Sequence, residues 1–349
     1  LANVKGSLYI AVLVTATLFA AATGIVGASV TILGVMAAPI MKHAGYDIKL
    51  SAGSIAAGGT LGMLIPPSIM LVVMGPVVGV PITELFAAAV IPGVMLAALY
   101  MFYAVARSYM NPALGPALPD EEKADSVGEI IKELLIGIVP LAVLIMSVLG
   151  SILAGLATPT DAAAMGALGA FLLSVAYRRL TWERLKKAIF QTMLVSSMIL
   201  FLVATSNFYG AVFARLGTAT MIAETLVALE LAPMVLLILV LGLIFLLGWP
   251  LEWVPIVLVV IPILLPAVQS VGIDLVWFCT LVAVCLQTAW LSPPVALSAY
   301  YIKGVVPDWS LRDIYAGMMQ FMVIQVIGLL LILFFPQISL WLPTLLFRN

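Results

Sequence analysis

Two stretches of the chain, 227 positions apart, carry the same punctuation: Pro39, Gly45, Asp47, Pro66 and Pro67 in one, Pro266, Gly272, Asp274, Pro293 and Pro294 in the other. Gly45-Tyr46-Asp47-Ile48 pairs with Gly272-Ile273-Asp274-Leu275, and each copy runs on through apolar residues to its Pro-Pro. Proline has no N–H to give a helix, so each copy must hold an interrupted helix. The chain therefore has to fold as two related halves, each built around a break.

Of 349 residues, 64% are hydrophobic and 9% charged, with a mean hydropathy of +1.25. Soluble domains carry about 25% charged residues. Such a composition predicts an all-α polytopic membrane protein, because helices satisfy their own backbone in lipid. Paired broken segments in corresponding places point to the central site of a secondary transporter. A net charge of −1 offers nothing to nucleic acid. Cys279 and Cys285 lie in an apolar run and read as buried thiols; with His43 the one histidine, a Cys/His metal cluster is excluded. The opening LANVKGSLYI lacks the cleavage site of a signal peptide. Moving the first apolar segment of the second half, near Ile136, back by 227 positions places its counterpart before residue 1. About 90 further residues are expected upstream, in a protein of roughly 440.

Apolar runs set the layout. Residues 7–43 are too long for one span of about 20 residues and break centrally at Thr23-Gly24-Ile25-Val26-Gly27, which predicts a helical hairpin. Residues 50–80 break at Gly58-Gly59-Thr60-Leu61-Gly62 and Pro66-Pro67, as two half-helices of one crossing would; an unbroken run over 84–106 follows. In the second half, runs over 134–156, 161–177 and 188–214 precede a second double-length segment, 232–270, broken at Gly248-Trp249-Pro250-Leu251-Glu252. Residues 275–303 then break at Ser292-Pro293-Pro294, and a last run covers 314–346. Thus the chain is expected to hold two inverted repeats, each with a re-entrant hairpin and a broken transmembrane helix: 1–107 is the first (hairpin, broken helix, scaffold helix), N-terminally incomplete. Residues 108–133 are a polar cytoplasmic connector, and 134–349 is the second repeat. If the double-length segments are re-entrant and the Pro-Pro segments cross, all 15 Lys and Arg except Arg215 and Arg348 share one side, which becomes cytoplasmic. Two complete spans would return the chain to the same side, so charge alone does not separate the two readings. Gly, Thr, Pro and Glu at the breaks favour tips buried in protein.

A broken membrane helix frees carbonyls that cannot stay bare in hydrocarbon. A sodium ion, a hard cation, would satisfy several at once, while half-helix N-termini suit an anionic substrate group. Glu252, central in a long apolar stretch, is costly there and could ligate a cation, relay a proton, or sit solvated at an interface beside Trp249 and Trp253. Asp161 reads as structural, with Thr160 as a helix cap, and the basic residues of 178–187 as a loop serving topology and headgroup contact. An enzyme is excluded on the absence of a serine triad partner, a metal cluster and a Gly-Lys-Ser/Thr phosphate loop.

Three segments in order carry a resemblance: Gly58-Gly59-Thr60-Leu61-Gly62-Met63-Leu64-Ile65-Pro66-Pro67-Ser68, Ala157-Thr158-Pro159-Thr160-Asp161-Ala162-Ala163, and Gln287-Thr288-Ala289-Trp290-Leu291-Ser292-Pro293-Pro294. Together they resemble the large membrane subunit of tripartite ATP-independent periplasmic (TRAP) transporters, over essentially the whole chain. The resemblance implies a multi-pass protein of the bacterial inner membrane, importing an organic acid with sodium as coupling ion and no other cofactor. It implies an elevator motion, a small membrane subunit and a periplasmic substrate-binding protein as partners. It further implies one sodium site at Thr23, Gly24, Ile25, Gly62, Ile65 and Pro67, and a second at Gly248, Pro250, Glu252, Thr288, Ser292 and Pro294. Two departures stand out. The first tip lacks the family's Ser-Gly-Ser-Ser run, leaving Thr23 as its side-chain ligand, and Trp290 replaces a smaller residue before the second Pro-Pro. A stand-alone ion-coupled organic anion carrier of related fold is the alternative, distinguished by uptake without any soluble partner.

Overall fold

The computed structural model describes residues 4–117, 127–293 and 296–347, and every regular element among them is helical. α1 (Ser7–Thr23) and α2 (Val26–His43) meet at a two-residue tip, Gly24-Ile25. α3 (Ile48–Thr60) ends in a 3₁₀ turn (Leu61–Met63), a non-helical stretch runs through Ser68, and α4 (Ile69–Val78) and α5 (Ile82–Met110) follow. Then come α6 (Val127–Gly137), α7 (Val139–Leu153), α8 (Pro159–Ala176), α9 (Trp182–Arg215) and α10 (Thr218–Ala228). α11 (Pro233–Leu247) and α12 (Trp253–Ser270), the latter with a π turn at Ile256–Val260, form the second helix–tip–helix unit. α13 (Leu275–Gln287), a 3₁₀ turn (Thr288–Trp290), α14 (Leu297–Val305), α15 (Leu311–Phe334) and α16 (Gln337–Phe347) complete the chain.

Shifted by 227 positions, α2 falls on α12, α3 on α13, and Leu61–Met63 on Thr288–Trp290, residue for residue. The repeated punctuation explains this locally. Gly45 and Gly272 both turn the chain at φ +73°, a left-handed conformation that favours glycine. Asp47 then accepts the Leu50 amide at 2.8 Å, and Asp274 those of Val276 and Trp277 at 2.9 and 3.1 Å. Each carboxylate caps a broken helix, and its loss costs about 1 kcal/mol.

The halves interlock. α3 lies in the fork between α1 and α2, and α15 packs along it from the second half. α14 crosses onto α2, and α13 packs on both α11 and α5. The tightest crossing is at Gly317, where an added Cβ would stand 1.9 Å from the Lys49 carbonyl oxygen. In lipid such close approach, rather than exclusion of water, holds helices together. Among the described residues six helices, α2, α5, α8, α9, α12 and α15, are long and apolar enough to cross a bilayer. Their burial separates them: 56% of the apolar window of α5 is buried, against 6% for α8 and 0% for α9. α8 and α9 thus turn their apolar surfaces outward.

α5 packs against α16, α1, α3, α13 and α15. Several expectations change. α9 begins at Trp182, so Arg184, Lys186 and Lys187 sit on a helix, not in a loop. Thr158, not Thr160, caps α8, accepting the Asp161 amide at 3.2 Å and donating to its carboxylate at 2.6 Å. The final apolar run is two helices because the residue before Pro336, Phe335, is forced out of the helical region (φ −124°, ψ 77°). α6 already begins at Val127, and residues 118–126 of the connector lie outside the described residues. Cys279 and Cys285 are free and buried.

Candidate functional site

The two breaks are built alike. In the first, the amides of Leu64 and Ile65 both donate to the Leu61 carbonyl, at 3.0 and 2.8 Å; in the second, those of Leu291 and Ser292 donate to Thr288 at 3.0 and 2.9 Å. Beyond these turns, among the described residues, no backbone N–H donates to the carbonyls of Leu64, Ile65, Pro66 and Pro67, nor to those of Leu291, Ser292 and Pro293. Leu64, Pro66, Leu291 and Ser292 are buried, Ile65 and Pro67 half-buried and Pro293 exposed; carbonyls without donors in an apolar interior call for another partner, and a hard cation is one that oxygen satisfies.

The first tip rests on the first break. Gly24, at φ +60°, is so close that an added Cβ would lie 3.3 Å from the Pro67 carbonyl oxygen. Thr23 Oγ1 lies 2.7 Å from Ser29 Oγ, and the two hydroxyls also reach the carbonyls of Phe19 and Ile25 at 2.9 and 3.0 Å. Ser29, fully buried one turn into α2, therefore adds a second hydroxyl to a tip where only Thr23 was expected. Its signal was the spacing that returns a helix face to its own tip. Gly62 is buried within the 3₁₀ turn and has only backbone to offer. The Ile65 side chain turns away toward Gly93 of α5, so its carbonyl alone faces the problem of a partner.

At the second tip, Gly248 packs on the 3₁₀ turn of the second break, where an added Cβ would lie 3.2 Å from the Ala289 methyl. Gly248, Pro250 and Glu252 share a 190 Å³ pocket with Ala289 and Trp290. Thr288 and Ser292 are buried and turn their hydroxyls into their own helix end, donating to Cys285 at 2.6 Å and to Thr288 at 2.8 Å. Pro294 lies outside the described residues. Glu252 is exposed on the tip, caps nothing, and has no side-chain partner among the described residues.

Both tips open onto one larger cavity of 660 Å³. Gly24, Ile25 and Met63 line it from the first half, and Glu252, Trp253, Trp290 and Tyr301 from the second. Trp290 stacks on Tyr301 with ring centroids 6.4 Å apart at 18°. Tyr301 in turn presses on Gly27, so the stack bridges the second break to the first tip. α9 closes the far wall with Lys187 and Gln191; Lys187 and Glu252 are the charged residues of the lining. Lys187 was read as a loop residue. Its periodicity with Gln191, Val195 and Met198 marks one helix face, and that pattern was available in the sequence. Concave, largely apolar walls with a few converging polar groups are what small-molecule sites look like.

Residues 2–338 match the family described as "Tripartite ATP-independent periplasmic transporter, DctM component". The chain is 32% identical over 358 residues to the C4-dicarboxylate TRAP transporter large permease protein DctM of Rhodobacter capsulatus, covering 98% of this chain and 79% of that protein. It is 30% identical over 348 residues to the sialic acid TRAP transporter large permease protein SiaM of Vibrio cholerae, covering 98% and 79%. To the DctM permease of Pseudomonas aeruginosa it is 29% identical over 344 residues, covering 98% and 78%.

Proposed function

The chain belongs to the DctM component family of TRAP transporters, a family of membrane permeases and not of enzymes, and from that membership we propose that it is the transmembrane subunit of a sodium-coupled importer of a small organic acid anion. Relatives named for C4-dicarboxylates and sialic acid support the substrate class. The observation that carries the reading is the doubling of one arrangement. In each half a tip lies against a break whose carbonyls lack donors, and both face one cavity. One sodium ion is held by carbonyls of Gly24, Ile25, Gly62, Ile65 and Pro67 with the hydroxyls of Thr23 and Ser29. A second is held by Gly248, Pro250, Glu252, Thr288, Ser292 and Pro294.

The ions do two things. They satisfy backbone that is otherwise bare, ordering the tips, and they supply positive charge beside a cavity whose own charges, Lys187 and Glu252, nearly cancel. A cation about 6 Å from a substrate carboxylate, at an effective dielectric near 20, contributes roughly 3 kcal/mol, about two decades of affinity. Sodium therefore has to precede the anion. The tips are re-entrant, and the body of α1–α5 and α11–α15 moves as an elevator past α6–α9, whose outward apolar faces meet lipid and the small membrane subunit. A periplasmic binding protein delivers the acid, and the protein resides in the bacterial inner membrane with its Lys/Arg-rich side cytoplasmic.

The test is sodium titration of uptake by the complete transporter. Glu252→Gln and Ser292→Ala are expected to raise the half-saturating sodium concentration while leaving affinity for the binding protein unchanged. Wild-type uptake indifferent to sodium refutes the coupling, unaltered sodium dependence in both variants removes the second site as drawn, and uptake without any soluble partner favours a stand-alone carrier.

A further inference from the structure

The cavity that both tips face sorts its chemistry by wall. On α14, Tyr301 keeps 40% of its surface exposed while Trp290, stacked on it, is buried, so the tyrosine ring is the side of the stack that a bound molecule meets. The ring lies there because Gly27 has no side chain: an added Cβ would stand 2.7 Å from Tyr301 Cζ. Ile25, Met63, Ile69 and Met70 continue the apolar lining from the first half, and Val195 and Met198 from α9.

Polar side chains are few. Thr31 donates its proton to the Gly27 carbonyl at 2.7 Å, one turn back in its own helix. Glu252 belongs to the second ion in the sodium reading. What remains beside the Tyr301 hydroxyl is a pair on α9, Lys187 and Gln191, four residues apart and so on one helix face. Among the described residues no carboxylate pairs with the Lys187 ammonium. The lining therefore offers one uncommitted positive charge with an amide beside it, and an aromatic face elsewhere. A second carboxylate, or the several hydroxyls of a sugar acid, would be buried against methionine and isoleucine without partners, and a bare polar group costs more than a hydrogen bond returns. A flat apolar body gains both from leaving water and from an aromatic neighbour.

We propose that this cavity takes a monocarboxylate with an aromatic or other apolar body, its carboxylate held by Lys187 and Gln191 and its body laid against Tyr301. The proposal rests on the reading of the chain as an organic acid permease, and narrows it. Lys187 and Tyr301 then set specificity within the membrane, apart from any selection made by a soluble binding protein.

Thermal-shift titration of the complete transporter's membrane complex, purified in detergent with saturating sodium and no soluble partner, tests it with phenylacetate, succinate and N-acetylneuraminate. Phenylacetate is expected to bind at least tenfold more tightly than either of the others. Lys187→Met should weaken phenylacetate about 10–100-fold, as loss of a charge-assisted hydrogen bond does, and Lys187→Arg should restore most of it. Tyr301→Ala should weaken phenylacetate about tenfold. Lys187 is exposed, so Lys187→Met reports on the proposal even where Tyr301→Ala disturbs the tip; the melting temperature without acid checks the folding of each. Succinate or N-acetylneuraminate binding as tightly as phenylacetate, or unaltered phenylacetate affinity in Lys187→Met, overturns the proposal and leaves the organic acid reading standing. No shift with any of the three acids overturns the proposal too, and the reading beneath it falls with it only if uptake by the complete transporter is also indifferent to sodium.

Discussion

Gly24 and Gly45 have nearly the same backbone, φ +60° and +73°, but different surroundings. An alanine Cβ at Gly45 would meet nothing within 4 Å; at Gly24 it would lie 3.3 Å from the Pro67 carbonyl oxygen, tighter than ordinary contact. Either substitution carries a left-handed penalty of about 1–2 kcal/mol. At Gly45 that penalty should lower thermal stability and do nothing else. At Gly24 the tip can relieve its strain by lifting off Pro67, and it must take the strain back when a cation draws tip and break together. If the whole penalty falls on the binding step, half-saturating sodium rises about 5–30-fold at 1.4 kcal/mol per decade. Sodium titrations of uptake in proteoliposomes, beside heated size-exclusion profiles of each purified variant, separate the two effects. Equal sodium dependence in Gly24→Ala and Gly45→Ala, at matched expression, would refute the idea that contact between tip and break closes around the ion.

Gly317→Ala places a methyl 1.9 Å from a backbone oxygen, which no rotamer change can relieve, so α15 must leave α3. A loss of about 1–3 kcal/mol or more is expected in thermal unfolding despite the better helix propensity of alanine, whereas Gly242→Ala, with nothing within 4 Å, should be neutral or stabilising by up to about 1 kcal/mol. The exposed Lys42–Asp308 pair, 2.8 Å apart, holds the Asp308 carboxyl below its ordinary value. Because the folded value is depressed, the pair's contribution is present above the ordinary carboxylate range and is lost as pH falls through the folded value. Lys42→Gln should therefore differ slightly from wild type in melting temperature at neutral pH and low salt, and match it in strong acid or high salt.

The doubling was legible because proline, glycine and a capping aspartate act locally. Pro66-Pro67 and Pro293-Pro294 stop a helix whatever surrounds them, and Asp47 and Asp274 start one. The tips were legible for the same reason. What the sequence hid is long-range pairing. Gln287 and Gln325 look like ordinary polar residues until α13 and α15 are packed. Pro336 and the α9 stripe of Lys187 and Gln191 are different: their signals were in plain view, under an apolar run and a basic cluster that drew other readings.

The crossing of α3 by α15 has a bearing on how the protein is made. α3 is made well before α15, so the groove at Gly53 stays open while the elements between them are inserted. α4 through α14 must enter the membrane before the first half acquires its lid. Until then α3 has the fork of its own hairpin and α5 for company, and its small-residue face is available to the wrong partner. Insertion machinery that holds the early helices apart, or lipid that occupies the groove for a time, is thus part of what this topology demands. A nascent chain halted after α13 would be a substrate for membrane proteases rather than a half-built transporter.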